Sequence, residues 1–464
     1  MDQKKDLFEN TSVGKAVLKL ALPSVLGQII LVIYNMADTL FIGMTGSDEL
    51  ITAVTVCMPA FMFLSAVSNL FGVGSASVIS RALGRKDARR ARLASAFAVW
   101  GCLTVTVLYC LAVFLLRDGF LDLLGGSDPV VHRNAAAYLT VAVILGGTAT
   151  SMSTLMSHLI RATGFSFEAS LGIVIGGVLN IGLDPLFMFV ILPKGQEALG
   201  AAIATALSNL CSLSYYLLVI IFRRKRFSLS IRFRPEMLRE GIPSDIFRVG
   251  IPACLMTLCE NISYAVLDNL IAASGTAAQA GIGVAKKVNM LAHSFVRGMS
   301  QGVLPLIGYN YASGSRKRMK SVIFFSAGVS FLIALSCLGV NALFSEELIG
   351  LFIRTEADSL RYGAAFLRIL SIGAPFSAWA YAVISFFQAT GRGGSSLILA
   401  LMRKGLIDIP LMLLLNKRIP TFGIVAATPI TDILCCVTAA VLFAIFIREH
   451  GTDKSACNTG SGVG

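Results

Sequence analysis

Asp38 and Asp184 stand inside long apolar runs; Tyr34 precedes Asp38 by four residues, and Asn180 precedes Asp184 by four. Residues four apart share one helix face, so each pair aims two polar groups in one direction. An ionisable side chain deep in an apolar span costs ~2.5–3.5 kcal/mol on insertion scales, which makes each one a functional candidate. With the hydroxyl of Thr205, these side chains form a set of hard oxygens suited to Na⁺ or a proton, provided they meet. Two carboxylates close together in low dielectric do not both stay charged without a cation. A proton and a sodium ion would relieve the same repulsion, so the two are expected to compete.

A second group lies in the other half of the chain. Glu260 falls near the middle of its apolar run, and Asp268, Lys286, Lys287 and Arg297 fall in the same or the next run. Glu260, Asp268, Lys286 and Lys287 are the candidates for a substrate cleft. Pairing of Asp268 with one lysine is the bland alternative; an unpaired lysine or Arg297 in the cleft favours anionic or zwitterionic ligands. Asp408 has Lys404 one turn before it. An ammonium placed there supplies internally the charge that a bare carboxylate takes from an ion. The second half is therefore expected to lack an equivalent Na⁺ site.

The elements that position these groups are membrane helices. Of 464 residues, 55% are hydrophobic and 14% charged, whereas soluble domains carry about 25% charged residues. Apolar spans lie at roughly 20–43, 52–80, 93–116, 136–158, 171–192, 198–222, 249–273, 280–308, 321–344, 363–388, 397–415 and 422–447. Each is long enough to cross a ~30 Å hydrocarbon core as a helix. Dyad patterns of barrel strands are absent, so an all-α polytopic membrane protein of about twelve helices is expected. At 1.5 Å per residue, Asp38 lies ~8 Å, Thr205 ~10 Å and Asp184 ~12 Å from the outer ends of their spans. The three depths agree within the uncertainty of the span ends.

The net charge of +13 follows the loops. Alternate loops, those on the side of both termini, hold 26 of the 39 Lys and Arg residues; the opposite loops hold 7 and the spans six. By the positive-inside rule both termini are cytoplasmic, and nucleic-acid binding is not expected. The polar stretch 1–19 carries no small-residue cleavage site, so the first span is expected to remain. Ten scattered cysteines lack metal or disulfide spacing and read as small packing residues.

The halves repeat. Pro23 corresponds to Pro252, and Thr45-Gly46 to Ser274-Gly275, at an offset of 229. Ala162-Thr-Gly164 corresponds to Ala389-Thr-Gly391 at 227, Asp184 to Asp408 at 224, and Gly200 with Thr205 to Gly423 with Thr428 at 223. Six spans per repeat is an even number, so the repeats insert in parallel. The expected division is an N-terminal lobe 1–222, a cytoplasmic linker 223–248, a C-terminal lobe 249–447 and a cytoplasmic tail 448–464.

Several stretches resemble the MATE (multidrug and toxic compound extrusion) family. They are Leu22-Pro-Ser with Tyr34-Asn-Met-Ala-Asp38-Thr-Leu-Phe-Ile-Gly43, Gly72-Val-Gly74 with Ser80-Arg-Ala-Leu-Gly84-Arg-Lys-Asp87, and Leu179-Asn-Ile-Gly-Leu-Asp184-Pro185. Gly200-Ala-Ala-Ile-Ala-Thr205 and Gly302-Val-Leu-Pro305 through Tyr311 continue the likeness, which is strongest to the bacterial branch with DinF- and MepA-type proteins. The resemblance implies a multi-pass protein of the bacterial inner membrane that exports organic, cationic or amphipathic compounds by alternating access. It implies exchange for inward Na⁺ or H⁺, no cofactor, and function as a monomer. It also places the cation site at Tyr34, Asp38, Asn180, Asp184 and Thr205. Glu260 matches an acidic position of the family's NorM-like branch, but Ala374-Pro-Phe-Ser-Ala-Trp-Ala-Tyr381 lacks the acid which that branch carries there.

Rival readings are weaker. The four histidines are isolated and no phosphate-binding Gly-x-x-x-x-Gly-Lys-Ser/Thr loop occurs, so neither an enzyme nor direct ATP hydrolysis is expected. A lipid-linked precursor flippase, or an exporter of anionic or zwitterionic metabolites, is the alternative that basic residues in the cleft would favour.

Overall fold

A computed structural model describes residues 2–123, 128–223, 227–353 and 356–451. The basic run at 224–226 and the tail from 452 onward lie outside the described residues. Among the described residues there is no strand, and twelve helical units form the body. They are α1 (Val13–Met44), α2 (Asp48–Gly84), α3 (Ala88–Leu115), α4 (Pro129–Leu145 with Gly147–Ala162), α5 (Ser166–Ile191) and α6 (Glu197–Phe222). The second set is α7 (Ile242–Ala272), α8 (Thr276–Ala312), α9 (Arg316–Leu343), α10 (Ala357–Ser371 with Gly373–Thr390), α11 (Gly393–Leu401, Met402–Leu406 and Asp408–Arg418) and α12 (Phe422–Gly451).

Eight of these are long and apolar enough to span a membrane unaided, and α4 and α10 qualify as bent pairs, with bends of 45° and 40°. The remaining two, α8 and α11, are the units whose middles carry Lys286, Lys287 and Arg297, and Arg403, Lys404 and Asp408. α8 is long enough to span but is made less apolar by its charged and polar residues, and α11 is in addition interrupted into three short pieces. Helices satisfy their own backbone in lipid, so long apolar sequence folds this way by default. Local signals set the ends: Asp87 accepts from the Arg90 amide at 2.8 Å to start α3, and Asp128 caps Val130 and Val131 ahead of Pro129 to start α4.

α1–α6 and α7–α12 pack as two lobes, joined most extensively by α7 on α2 and α8 on α1. The backbones touch there. A Cβ on Gly302 would fall 2.5 Å from Ala21 Cα, and one on Gly250 would fall 2.1 Å from the Leu70 carbonyl oxygen. Small residues allow such approach where apolar burial gives no drive between helices in lipid. Hydrogen bonds join the lobes on the same side: Ser77 donates to the Gln388 carbonyl, Asn69 to Thr257 at 2.9 Å, and Gln28 to Gln301 at 3.2 Å. These contacts lie between the middles of the helices and the end that holds Arg85 and Arg316.

Gly302→Val should wedge that end apart. In a background lacking native cysteines, a thiol reagent added on the basic-loop side should label Cys at position 76, in the α2 wall, roughly tenfold faster or more. An unchanged labelling rate would show that the contact does not close this end.

Candidate cation site and central cavity

Asn180 and Asp184 project from α5 toward α6. The Asn180 amide donates to Asp184 Oδ1 at 3.2 Å and to Thr205 Oγ1 at 3.4 Å. Asp184 is fully buried. Pro185 offers no amide to the helix, and a wide π-type turn, Leu186–Ile191, follows it. α6 crosses that turn closely enough that a Cβ on Gly200 would lie 2.9 Å from the Met188 nitrogen. The same crossing sets Thr205 beside Asn180.

α1 brings the other members. The Tyr34 ring packs 3.4 Å from a Cβ built on Gly177, which seats α1 against the α5 face that bears Asn180. Asp38 lies one turn further along α1 and within electrostatic range of Asp184. Asp38 Oδ1, Asn180 Oδ1 and Asp184 Oδ2 are all buried without a hydrogen-bond partner. Three orphaned oxygens on two facing helices are a donor set for a hard cation or, on either carboxylate, a proton. Tyr138 of α4, 3% exposed, faces the charges of both acids and the Tyr34 phenol. Nothing in its sequence neighbourhood singles it out, because a tyrosine in an apolar span usually only packs.

The C-terminal lobe treats its acids differently. Glu260 pairs with Arg297, and Asp268 pairs with Lys286. Lys404 Nζ lies 3.1 Å from Asp408 Oδ2, and the same oxygen accepts from Ser263 at 2.5 Å. Arg403 reaches Asp432 at 3.0 Å, with both side chains 2% exposed. Tyr381 accepts from Arg403 at 2.7 Å and from Arg297 at 3.0 Å, joining the pairs. Asp432 Oδ2 sits 2.7 Å from a Cβ built on Gly373. An acid from α12 therefore meets the start of the Ala374–Tyr381 stretch, and Arg403 already neutralises it. Asp432 and Arg403 carried no role in the sequence reading, although two opposite charges in neighbouring spans are themselves a pairing signal.

A cavity lies between the lobes, walled by Asn69, His158 and Arg161 on one side and by Thr257, Glu260, Arg297 and Gln301 on the other. Of the four cleft candidates, Glu260 borders it; Asp268, Lys286 and Lys287 do not. Lys287 instead faces the charge of Asp38 across the lobe boundary. Arg161, counted above among the loop charges, lies inside α4 and is 3% exposed. The span ending at 158 was drawn too short.

A family model described as MatE matches residues 23–186 and again residues 252–414. The chain belongs to the MATE family. The double match falls on the two lobes and repeats the offset read from Pro23 and Pro252. The chain is similar to the multidrug export protein MepA of Staphylococcus aureus (strain MSSA476), with 28% identity over 454 residues, 97% of this chain and 98% of that protein. MepA of Staphylococcus saprophyticus subsp. saprophyticus is 27% identical over 456 residues, 98% of each chain. Among solved structures, an outward-facing multidrug resistance MATE family transporter of the MOP superfamily superposes with a TM-score of 0.88 at 23% identity, covering 96% of this chain and 98% of that one. A MOP superfamily transporter from Pyrococcus furiosus superposes with 0.83 at 23% identity, over 96% and 97%. At these identities the structures establish the two-lobed MATE fold of this membrane protein.

Within that fold, Lys404 stands where its repeat partner region carries Asn180. Lys404→Asn should convert the second lobe into a cation site. Equilibrium ²²Na⁺ binding should rise by about one ion per chain, because a bare buried carboxylate recruits a counter-charge. Unchanged stoichiometry and affinity would remove the support for lysine as the internal substitute.

Proposed function

We propose that this MATE protein is a secondary active exporter of amphipathic organic compounds, driven by inward movement of Na⁺ or H⁺ through the N-terminal lobe. One observation carries the reading. Glu260, Asp268, Asp408 and Asp432 each have a cationic partner within the lobe; among the described residues Asp38 and Asp184 have none within theirs, so their orphaned oxygens, unlike Asp408 Oδ1, belong to carboxylates with no ion pair. An ion therefore changes the charge of one lobe only.

Asp38, Asn180, Asp184 and Thr205 hold the ion, and Tyr34 closes the α1 side. With the site empty, repulsion between the carboxylates separates α1 from α5; occupancy draws them together and tilts the lobe at its contacts with α7 and α8. One charge moving down 100 mV releases ~2.3 kcal/mol, equivalent to roughly a 40-fold substrate gradient. A single ion per cycle is sufficient.

The lobes are those drawn from the sequence, 1–222 and 249–447, with both termini in the cytoplasm and the basic loops holding that side. The chain works as a monomer in the cell membrane and performs no covalent chemistry. Basic side chains at the cavity wall, Arg161 and Arg297, favour anionic or zwitterionic metabolites, or a lipid-linked precursor, over a simple organic cation.

The test is substrate flux in proteoliposomes under imposed Na⁺ and pH gradients. Uphill substrate movement driven by one gradient and abolished by its collapse is expected. Flux indifferent to both gradients would exclude coupling.

A further inference from the structure

Arg161 is a buried cation with no acid beside it. Among the described residues it has no ion-pair partner, and its one side-chain hydrogen bond is from Nη1 to Gln301 Oε1 at 3.3 Å. Nε and Nη2 are buried and have no acceptor. Those two nitrogens form one edge of the guanidinium, the fork that grips a carboxylate or phosphate through two parallel hydrogen bonds. An uncompensated buried guanidinium is a large penalty for the fold to carry; Arg161 borders the cavity, and its unused edge, itself without exposed surface, meets a ligand once the side chain turns toward that space.

The surroundings agree. The cavity wall carries Arg161 and Arg297 against the single carboxylate of Glu260, which Arg297 already occupies. His158, Asn69 and Gln388 add polar atoms, and Val73, Met256, Leu304 and Ile384 supply apolar surface. The cavity therefore combines one uncommitted positive charge with hydrophobic walls.

We infer that Arg161 is the receptor for an anionic group, a carboxylate or phosphate, on an amphipathic substrate of the central cavity. This rests on the export reading above and narrows its substrate class. It also places substrate recognition at the lobe boundary. Gln301 Oε1, from α8, accepts from both Arg161 and Gln28 of the N-terminal lobe. An anion held on the Nε–Nη2 edge leaves Nη1 on Gln301, so one guanidinium would join the substrate to the link between lobes.

The test is equilibrium binding to the detergent-solubilised full chain, read by fluorescence polarisation, which needs neither transport nor an ion gradient. Rhodamine B and its ethyl ester differ only in the free carboxylate. Wild type should bind the acid about ten- to a hundred-fold more tightly than the ester, the range for a charge-assisted bidentate contact. Arg161→Met, which removes an unpaired charge and should keep the fold, erases that preference while ester binding stays within about threefold; Arg161→Lys, a point charge without the fork, falls between. A short-chain fluorescent phosphatidic acid is the third probe. Arg161-dependent binding of this lipid alone assigns the anion to a phospholipid-type headgroup, and of the dye acid alone to a soluble carboxylate.

Equal binding of acid and ester by wild type, with phosphatidic acid indifferent to Arg161→Met, overturns the inference. So does a loss in Arg161→Met that is the same for all three probes. Carboxylate-selective binding in a protein that moves no substrate under any gradient would sink the export reading and leave the anion site standing.

Discussion

Asp184→Asn should abolish ion-driven transport while leaving the protein folded and its substrate cavity intact. The substitution keeps the shape of the side chain and an oxygen for the Asn180 amide, which now donates to Oδ1 at 3.2 Å. It removes the charge that an ion neutralises. A charged ligand contributes about 1.5–3 kcal/mol more than nothing at the site, so ion affinity should fall roughly 10- to 150-fold. Flux falls further, because a lobe whose charge no longer changes has no reason to tilt when an ion gradient is applied. Stability should not fall, since an amide is easier to bury than an unpaired carboxylate. The measurements are ²²Na⁺ binding, gradient-driven flux in proteoliposomes, and the thermal midpoint of the purified protein. Asp38→Asn should act in the same direction and less strongly, because Asp38 is only partly buried and already faces Lys287. Gradient-driven flux that survives Asp184→Asn would remove this pocket from the coupling mechanism.

Much of this arrangement was legible in the residues. Span length and apolarity forecast the helices, and the offset between Pro23 and Pro252 forecast the doubled match of the family model. Asp184 and Thr205 could be set at one depth because a helix rises by a fixed amount per residue. Contacts between helices remote in sequence were not legible. Nothing near Tyr138 marks it as a neighbour of Asp38, and nothing near Asp432 says that α12 carries it to Gly373. Arg161 was hidden for a different reason. The polar residues Ser157-His158 read as the edge of the span, yet α4 continues to Ala162 and carries Arg161 to Gln301 of the other lobe. Polar sequence at the end of an apolar span reads as loop whether it meets water or a partner helix.

The asymmetry between the lobes leads to a second large effect, on stability. Asp432→Leu leaves the Arg403 guanidinium buried with only the Tyr381 hydroxyl as a hydrogen-bond acceptor among the described residues. Removing one member of a buried pair costs about 3–5 kcal/mol, because the other charge is left without compensation. The variant should lose much of its yield in membranes, and its thermal midpoint in detergent should drop. Arg403→Met combined with Asp432→Leu should recover most of the loss, since removing both charges also removes their desolvation penalty. That recovery separates a neutralised scaffold from a working site. If Arg403 and Asp432 exchanged partners during transport, the double variant would be stable but inert. If the pair only keeps the second lobe electrically closed, the double variant transports normally and still responds to the ion gradient. The second outcome is expected, because a duplicated lobe whose embedded acids Glu260, Asp268, Asp408 and Asp432 are each answered by its own Lys or Arg side chain keeps one charge state through the cycle. The ion's free energy then acts on the lobe that lacks them.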